Sequence, residues 1–163
     1  MCSTLKCCPI LLILLLNVIG IYVAAIQPNL PEWTFMVYLD ADNNLEDAGI
    51  DDLNEMEFAG STDQVNIVVL FDRIPGYDSS NGDWTTTRIY YVLHDPDGVD
   101  STIDSQLIMD VGELNMGDPD TLVWFVNWTI NNYPARKYAV ILWDHGSGWV
   151  REEKVRGVCI DDS

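Results

Sequence analysis

The sequence predicts an α/β domain in which a mostly parallel sheet is flanked by helices. Three short runs of apolar residues, at 33–39, 65–71 and 138–143, are separated by segments with helical patterning. The runs are continuous rather than alternating, which is typical of parallel strands buried on both faces. With 163 residues, the chain is long enough for one domain with a sizeable core.

The first half of the domain predicts a strand, a helix and a second strand. Residues 33–39 (WTFMVYL) form the first strand, and the helix after it has Asn44 as its N-cap and Gly60 as its stop. Residues 65–71 (VNIVVLF) form the second strand. Small or apolar residues follow one helix face, opposite acidic residues, at steps of three or four; they are Leu45, Gly49, Leu53, Met56 and Gly60.

The second half predicts a hairpin, a helix and a third strand. Thr and Tyr residues in 84–93 (WTTTRIYYVL) favour a strand in a hairpin or at a sheet edge. Asp118 and Pro119 form a typical helix start, as the cap and the first helical residue, and Pro134 ends that helix. Most of the helix surface is apolar, so we expect it to be buried. The third buried strand is 138–143 (YAVILW).

The first 25 residues have the composition of a secretory signal. Lys6 precedes an apolar run at 10–25, and the small residues Val23 and Ala25 suit cleavage after Ala25. This run is slightly short for a bilayer span of roughly 20 residues, and the alternative is an uncleaved anchor that attaches the protein to a membrane. Both interpretations place residues 26–163 outside the cytoplasm, as one domain.

The exported part is strongly acidic. It contains all 26 acidic residues and all but one of the 8 basic residues, since only Lys6 belongs to the leader. Such a surface repels nucleic acid and anionic lipid, and it suits cationic partners or divalent ions, although solubility alone also explains it. Cys159 is the one cysteine outside the leader, which excludes a disulfide within the exported part.

Two polar stretches follow strands of the predicted sheet, where ligands bind in such folds. DADNN (40–44) follows the first strand and DHGSG (144–148) follows the third. An unperturbed histidine has a pKa near 6.5, so His145 can exchange protons at neutral pH. Gly146 allows a sharp turn and lets a substrate carbonyl approach its N–H group. The alternative is an ordinary histidine that is hydrogen-bonded at a strand end.

The phrases YLDADNNLE, WDHGSGW and RGVCIDDS, in this order, resemble the clostripain family of cysteine peptidases, in the broad clan of caspases and legumains. The resemblance runs from about Trp33 to the end of the chain. It implies a caspase-like α/β sandwich and a His–Cys dyad with His145 as the histidine and the Gly146 N–H in the oxyanion site. It also implies cleavage of peptide or protein substrates after Arg or Lys.

The chain departs from the family pattern at the nucleophile. The family places its cysteine after a further apolar strand, and no such segment precedes Ser163. Cys159 lies inside RGVCIDDS, too close to the His145 loop, so we interpret it as an ordinary buried or edge cysteine. We therefore expect the N-terminal part of a longer peptidase, incomplete at its C-terminus and inactive as it stands.

Calcium binding is an open alternative for the first polar stretch. Asp40, Asp42 and Asn44 match the opening of an EF-hand loop, but Leu45 replaces the required Gly and Asp51 the required Glu, so an EF-hand is excluded. A looser Ca²⁺ site competes with a structural role, in which Asp40, Asp42 and Asn43, with Asp144 beside the histidine, shape the turn and the helix start. The second functional hypothesis is accordingly an exported acidic domain that binds cations or a partner without catalysis.

Overall fold

The computed structural model describes residues 29–97, 100–146 and 159. Within them the chain forms a five-stranded sheet in the order β4-β3-β2-β1-β5. β1 pairs in parallel with β2 and β5, whereas β3 is antiparallel to β2 and β4. The elements are β1 (Trp33–Ala41), α1 (Glu46–Ala59), β2 (Val65–Arg73), β3 (Thr87–Tyr91), β4 (Gln106–Gly112), α2 (Pro119–Asn132) and β5 (Lys137–Trp143).

The predicted α/β architecture, a sheet flanked by helices, is confirmed, and the sheet is mixed. A parallel connection needs a crossover segment, usually a helix. Residues 74–86 contain only a short 3₁₀ turn, Ser80–Gly82, and the chain returns along β2 in the opposite direction. β4 was not predicted from the sequence; it is an edge strand whose Leu107 and Met109 side chains are exposed.

The core lies on both faces of β1 and β2, because successive side chains of a strand point to opposite sides. Under α1, Val37 and Leu39 pack with Val69, Phe71 and Leu53. On the other face, Met36 and Tyr38 pack with Val68, Leu70 and α2 residue Phe125. The continuous apolar runs of β1 and β2 therefore mark central strands that are covered on both sides.

Gly49 sets how closely α1 approaches the sheet. A Cβ atom at this position would lie 2.8 Å from Leu39 Cδ2 and 3.0 Å from Ala41 Cβ. A larger residue would push the helix away from β1, which explains a glycine within the apolar stripe of the helix. The predicted stop is confirmed: Gly60 has φ +63°, and its N–H donates to the Met56 carbonyl.

Two expectations about α1 are wrong. Leu45, not Asn44, occupies the N-cap position, without a side-chain cap. The Leu45 N–H instead donates to Asn43 Oδ1 at 2.8 Å. The side chain of Asn43, not that of Asn44, therefore accepts a backbone N–H at the start of the helix. The acidic residues are also not confined to solvent, because Glu46 and Glu57 are fully buried.

A buried ion pair fixes the start of α1 to the end of β2. Arg73 Nε lies 2.6 Å from Glu46 Oε1, and neither side chain is exposed. The guanidinium also donates to the Asp78 and Ser80 carbonyls, and it lies 4.1 Å from the Trp84 ring centroid. These contacts satisfy the buried charges, which would otherwise be costly to remove from water.

The second helix begins as expected and is less buried than expected. Asp118 Oδ1 accepts from the Asp120 N–H, and Pro119 is the first helical residue. Phe125 and Thr129 are fully buried, but Val123 is 56% exposed. The helix covers the sheet with one face only, and among the described residues no second layer covers the other. The expectation that 138–143 is a buried strand is also wrong for the described residues, because β5 lies at the sheet edge. Four of its residues are 37–45% exposed: Tyr138, Val140, Ile141 and Leu142.

The predicted leader, 1–25, and the membrane attachment through 10–25 lie outside the described residues. In the part of the chain that is described, no helix has both the length and the apolarity that crossing a bilayer requires.

Candidate active site

The two polar stretches meet at one edge of the sheet. β1 and β5 are adjacent and parallel, with Leu39 opposite Trp143. Residues 40–44 and 144–146 therefore leave the sheet side by side, although they are about 100 positions apart in the chain. Trp143 Nε1 also donates to Asp52 Oδ2 of α1, which holds the end of β5 against the helix.

Asn43 joins the two loops. This residue is 3% exposed, and its Nδ2 donates to Asp144 Oδ1 at 3.0 Å and to the Asp40 carbonyl at 3.3 Å. Asp144 Oδ1 also accepts the His145 backbone N–H. One carboxylate oxygen and one amide thus fix the backbone on both sides of the candidate site, which suits a histidine that must keep a defined position.

His145 is exposed at the tip of β5, and its ring reaches the loop that follows β1. Its Nε2 lies 3.0 Å from Asn44 Oδ1. Gly146 follows with φ +62°, a conformation that L-residues rarely adopt. Among the described residues, no atom lies within 4 Å of the position that a Cβ atom would take there. The site thus combines an imidazole, which can exchange protons, with a turn at a glycine.

Buried carboxylates lie beneath the site. Asp40 and Asp42 are at most 1% exposed, and β-sheet register places Asp40 opposite Asp72 of β2. Asp72 Oδ1 accepts from Thr87 Oγ1 at 2.8 Å. One carboxylate oxygen from each of Asp42, Asp72 and Glu113 lies within 4.8 Å of the other two. Oxygen donors of this kind suit Ca²⁺, which takes six to eight such ligands.

Cys159 packs beside this site. It lies against the apolar cluster of Met36 and Tyr38 and is partly buried. Burial raises the pKa of its thiol to about 12, and the negative charges of Asp40 and Asp144 add to this shift. The thiol therefore stays protonated at neutral pH, which agrees with its interpretation as an ordinary cysteine rather than a nucleophile.

Sequence reasoning missed three contributors to this region: Asp72, Glu113 and the side-chain contact of Asn44. Asp72 could have been predicted, because the apolar runs of β1 and β2 are each followed by an Asp, Asp40 and Asp72, and the two strands pair in register. Glu113 could not, because it follows β4, the strand that was not predicted. The Asn44–His145 contact joins residues 101 positions apart, and local patterns do not report such a distance.

Comparisons with known proteins identify the family of this chain. The model described as the clostripain family matches residues 37–163. Clostripain from Hathewaya histolytica is 37% identical over 143 residues, which are 80% of this chain and 27% of that protein. The chain thus spans about a quarter of the length of this curated relative.

Solved structures share the fold. A B. fragilis cysteine protease has a TM-score of 0.54 and 25% identity, with 75% of this chain and 95% of that chain covered. A secreted C11 cysteine protease from Bacteroides thetaiotaomicron, in complex with an irreversible peptide inhibitor, has a TM-score of 0.55 and 23% identity over 76% of this chain and 32% of that one. The chain belongs to the clostripain family of cysteine peptidases.

Proposed function

We propose that this chain supplies the histidine-bearing part of a clostripain-type cysteine endopeptidase, and that the nucleophilic cysteine lies outside these 163 residues. The position of His145 carries the proposal: it follows β5, and its ring is hydrogen-bonded to the loop after the neighbouring strand β1. Family membership supports the type of chemistry.

In the proposed reaction, the His145 imidazole takes the proton of the cysteine thiol, and the thiolate attacks the carbonyl carbon of the scissile bond. The Gly146 N–H donates to the oxygen that becomes negative. The imidazolium then gives its proton to the departing amine, and water hydrolyses the remaining thioester. Among the described residues no atom crowds Gly146, which supports this role, since the substrate backbone must come close.

Cys159 does not serve as the nucleophile in this proposal. A thiol with a pKa of about 12 holds very little thiolate at neutral pH. The 163 residues alone are accordingly expected to lack peptidase activity, and the test requires the full-length product of the gene.

The test of the histidine uses the two histidines of this chain as a matched pair. His145→Ala in the full-length protein should lower kcat for hydrolysis of an Arg- or Lys-containing peptide reporter by about 10²–10⁴-fold, the usual contribution of a general acid–base group. His94 lies in a loop with its Nδ1 bonded to the Phe58 carbonyl, so His94→Ala should retain activity. Full activity of His145→Ala would remove this residue from the mechanism.

Cleavage after basic residues is the second part of the proposal. The formal net charge of −18 supports attraction of cationic peptides, although it does not select a residue at the cleaved position. Reporters that differ only in Arg, Lys or Gln before the scissile bond test it. A value of kcat/KM for the Gln reporter equal to that of the basic reporters would contradict the preference.

We also propose that the protein acts outside the cytoplasm. The leader-like composition of 1–25 supports export, and one structural neighbour is a secreted protease. N-terminal sequencing of the protein from its natural source distinguishes the two forms: a cleaved signal gives Ile26 as the first residue, and a retained anchor leaves the leader on membrane-bound protein.

Cation binding without catalysis is the second candidate, and the carboxylates of Asp42, Asp72 and Glu113 favour it. Calorimetric titration of the full-length protein with Ca²⁺ tests this candidate, with Asp72→Asn as the variant and Asp63→Asn, in an exposed turn, as the matched control. Equal heats for all three proteins would exclude the cluster as a Ca²⁺ site.

A further inference from the structure

We propose that Asn44 is a positioning residue that fixes the tautomer of His145. The consequence of this inference for catalysis rests on the proposed function. The hydrogen bond behind it is a property of the described residues alone. Asn44 Oδ1 lies 3.0 Å from His145 Nε2.

The chemistry of the two atoms sets the direction of this bond. An amide oxygen only accepts, so the imidazole nitrogen that faces it must donate. In the neutral ring one nitrogen carries the proton and the other the lone pair. The Asn44 contact therefore places the proton on Nε2 and the lone pair on Nδ1, which makes Nδ1 the atom that takes the thiol proton in the proposed reaction.

The backbone on both sides of the pair is held, although both side chains are exposed. Asn43, next to Asn44, is buried and accepts from the Leu45 N–H. The same Asn43 donates to Asp144, whose carboxylate accepts the His145 backbone N–H. The donor and the acceptor are thus brought together by one bridge, and their hydrogen bond needs little further ordering of the chain.

Asparagine suits this position better than chemically similar side chains. A hydroxyl could donate as well as accept and would leave the tautomer unspecified. An aspartate keeps the acceptor in the same shape but adds a negative charge beside the imidazole. The exchange of Asn44 for Asp therefore retains the tautomer, whereas its exchange for Ala releases it.

Nitrogen-15 NMR of histidine-labelled full-length protein measures the tautomer directly. The signals of His145 are assigned by their loss in His145→Ala, and spectra are recorded at pH 9, where an unperturbed imidazole is neutral. We expect His145 as the Nε2–H tautomer in the wild type and in Asn44→Asp, and a mixture of both tautomers in Asn44→Ala.

His94 serves as the internal control within each spectrum. Its Nδ1 lies 3.0 Å from the Phe58 carbonyl oxygen, so His94 is expected as the opposite, Nδ1–H tautomer. An unchanged His94 signal in Asn44→Ala also shows that the variant is folded.

Activity gives a second measurement. Asn44→Ala should lower kcat roughly fivefold to tenfold with an unchanged KM, the effect of losing one exposed neutral hydrogen bond, and Asn44→Asp should restore most of it. A wild-type His145 without an excess of Nε2–H, or the same tautomer populations in all three proteins, would overturn the inference. If instead the tautomers behave as expected while His145→Ala remains fully active, the proposed function fails and the Asn44–His145 pair stands.

Discussion

Replacing Arg73 by Met should destabilise the protein more than any exposed ion-pair change. Arg73 and Glu46 are both fully buried, with Nε and Oε1 2.6 Å apart. Removing one partner of a buried pair leaves an uncompensated charge and costs about 3–5 kcal/mol. Domains are stable by about 5–15 kcal/mol, so this loss is a large fraction of the total. Met keeps much of the side-chain volume, which limits the effect to the charge and its hydrogen bonds.

Arg88 provides the matched control for this prediction. It also lies over the Trp84 ring, at 4.6 Å, and it pairs with Asp110, but these side chains are 23% and 41% exposed. Arg88→Met should therefore cost only about 0–1 kcal/mol.

Urea denaturation of the full-length protein, followed by the fluorescence of its tryptophans, gives the free energy of unfolding for each variant. The double variant Arg73→Met/Glu46→Leu should be more stable than Arg73→Met alone, because it removes the stranded charge. Equal losses of stability in Arg73→Met and Arg88→Met, or a further loss on adding Glu46→Leu, would contradict a dominant role of the buried charge.

Two further predictions concern buried titratable groups. Burial raises the pKa of Glu57 above its ordinary value of 4.5, partly offset by hydrogen bonds from Ser105 and Asn54. Its protonated form is favoured in the folded state, so its stabilising contribution is complete below about pH 4.5 and is lost as the pH rises through the raised pKa. Unfolding free energies from pH 4 to pH 7.5 should show this loss in the wild type and not in Glu57→Gln; parallel curves would contradict it. Cys159→Ser should retain peptide hydrolysis by the full-length protein, because a thiol with a pKa of about 12 is not the nucleophile; a loss of activity without a loss of stability would show otherwise.

The sequence predicts the central strands well because a strand buried on both faces has a continuous run of apolar residues. Continuous apolar runs predict β1 and β2, which are buried, and also β5, whose side chains are partly exposed. The loops after β1 and β5 are predicted to meet because parallel strands end at the same edge. The edge strand β4 has only a short apolar run, 107–109, which the sequence pattern does not separate from the surrounding loops.

The errors at the site have a common physical origin in long-range contacts. Asn44 has the residue type and position of a helix cap, but Asn43 already accepts the adjacent backbone N–H, and the Asn44 side chain turns to His145. Arg73 follows an apolar strand and would be placed in solvent by pattern alone. Its burial depends on Glu46, 27 positions away, which the sequence does not place beside it.

The pairing of β1 with β5 has a consequence for the order of folding. The loop after β1 is among the first parts of the domain to be synthesised, whereas His145, 101 positions later, is among the last of the described residues to follow. Contacts between such distant segments form slowly, because the entropy of closing a long loop is lost before the contacts stabilise the chain. β2 can pair with β1 before β5 is synthesised, so the contact that positions His145 is available only after this first pairing. Placement of His145 beside the loop that follows β1 is thereby deferred to a late folding event.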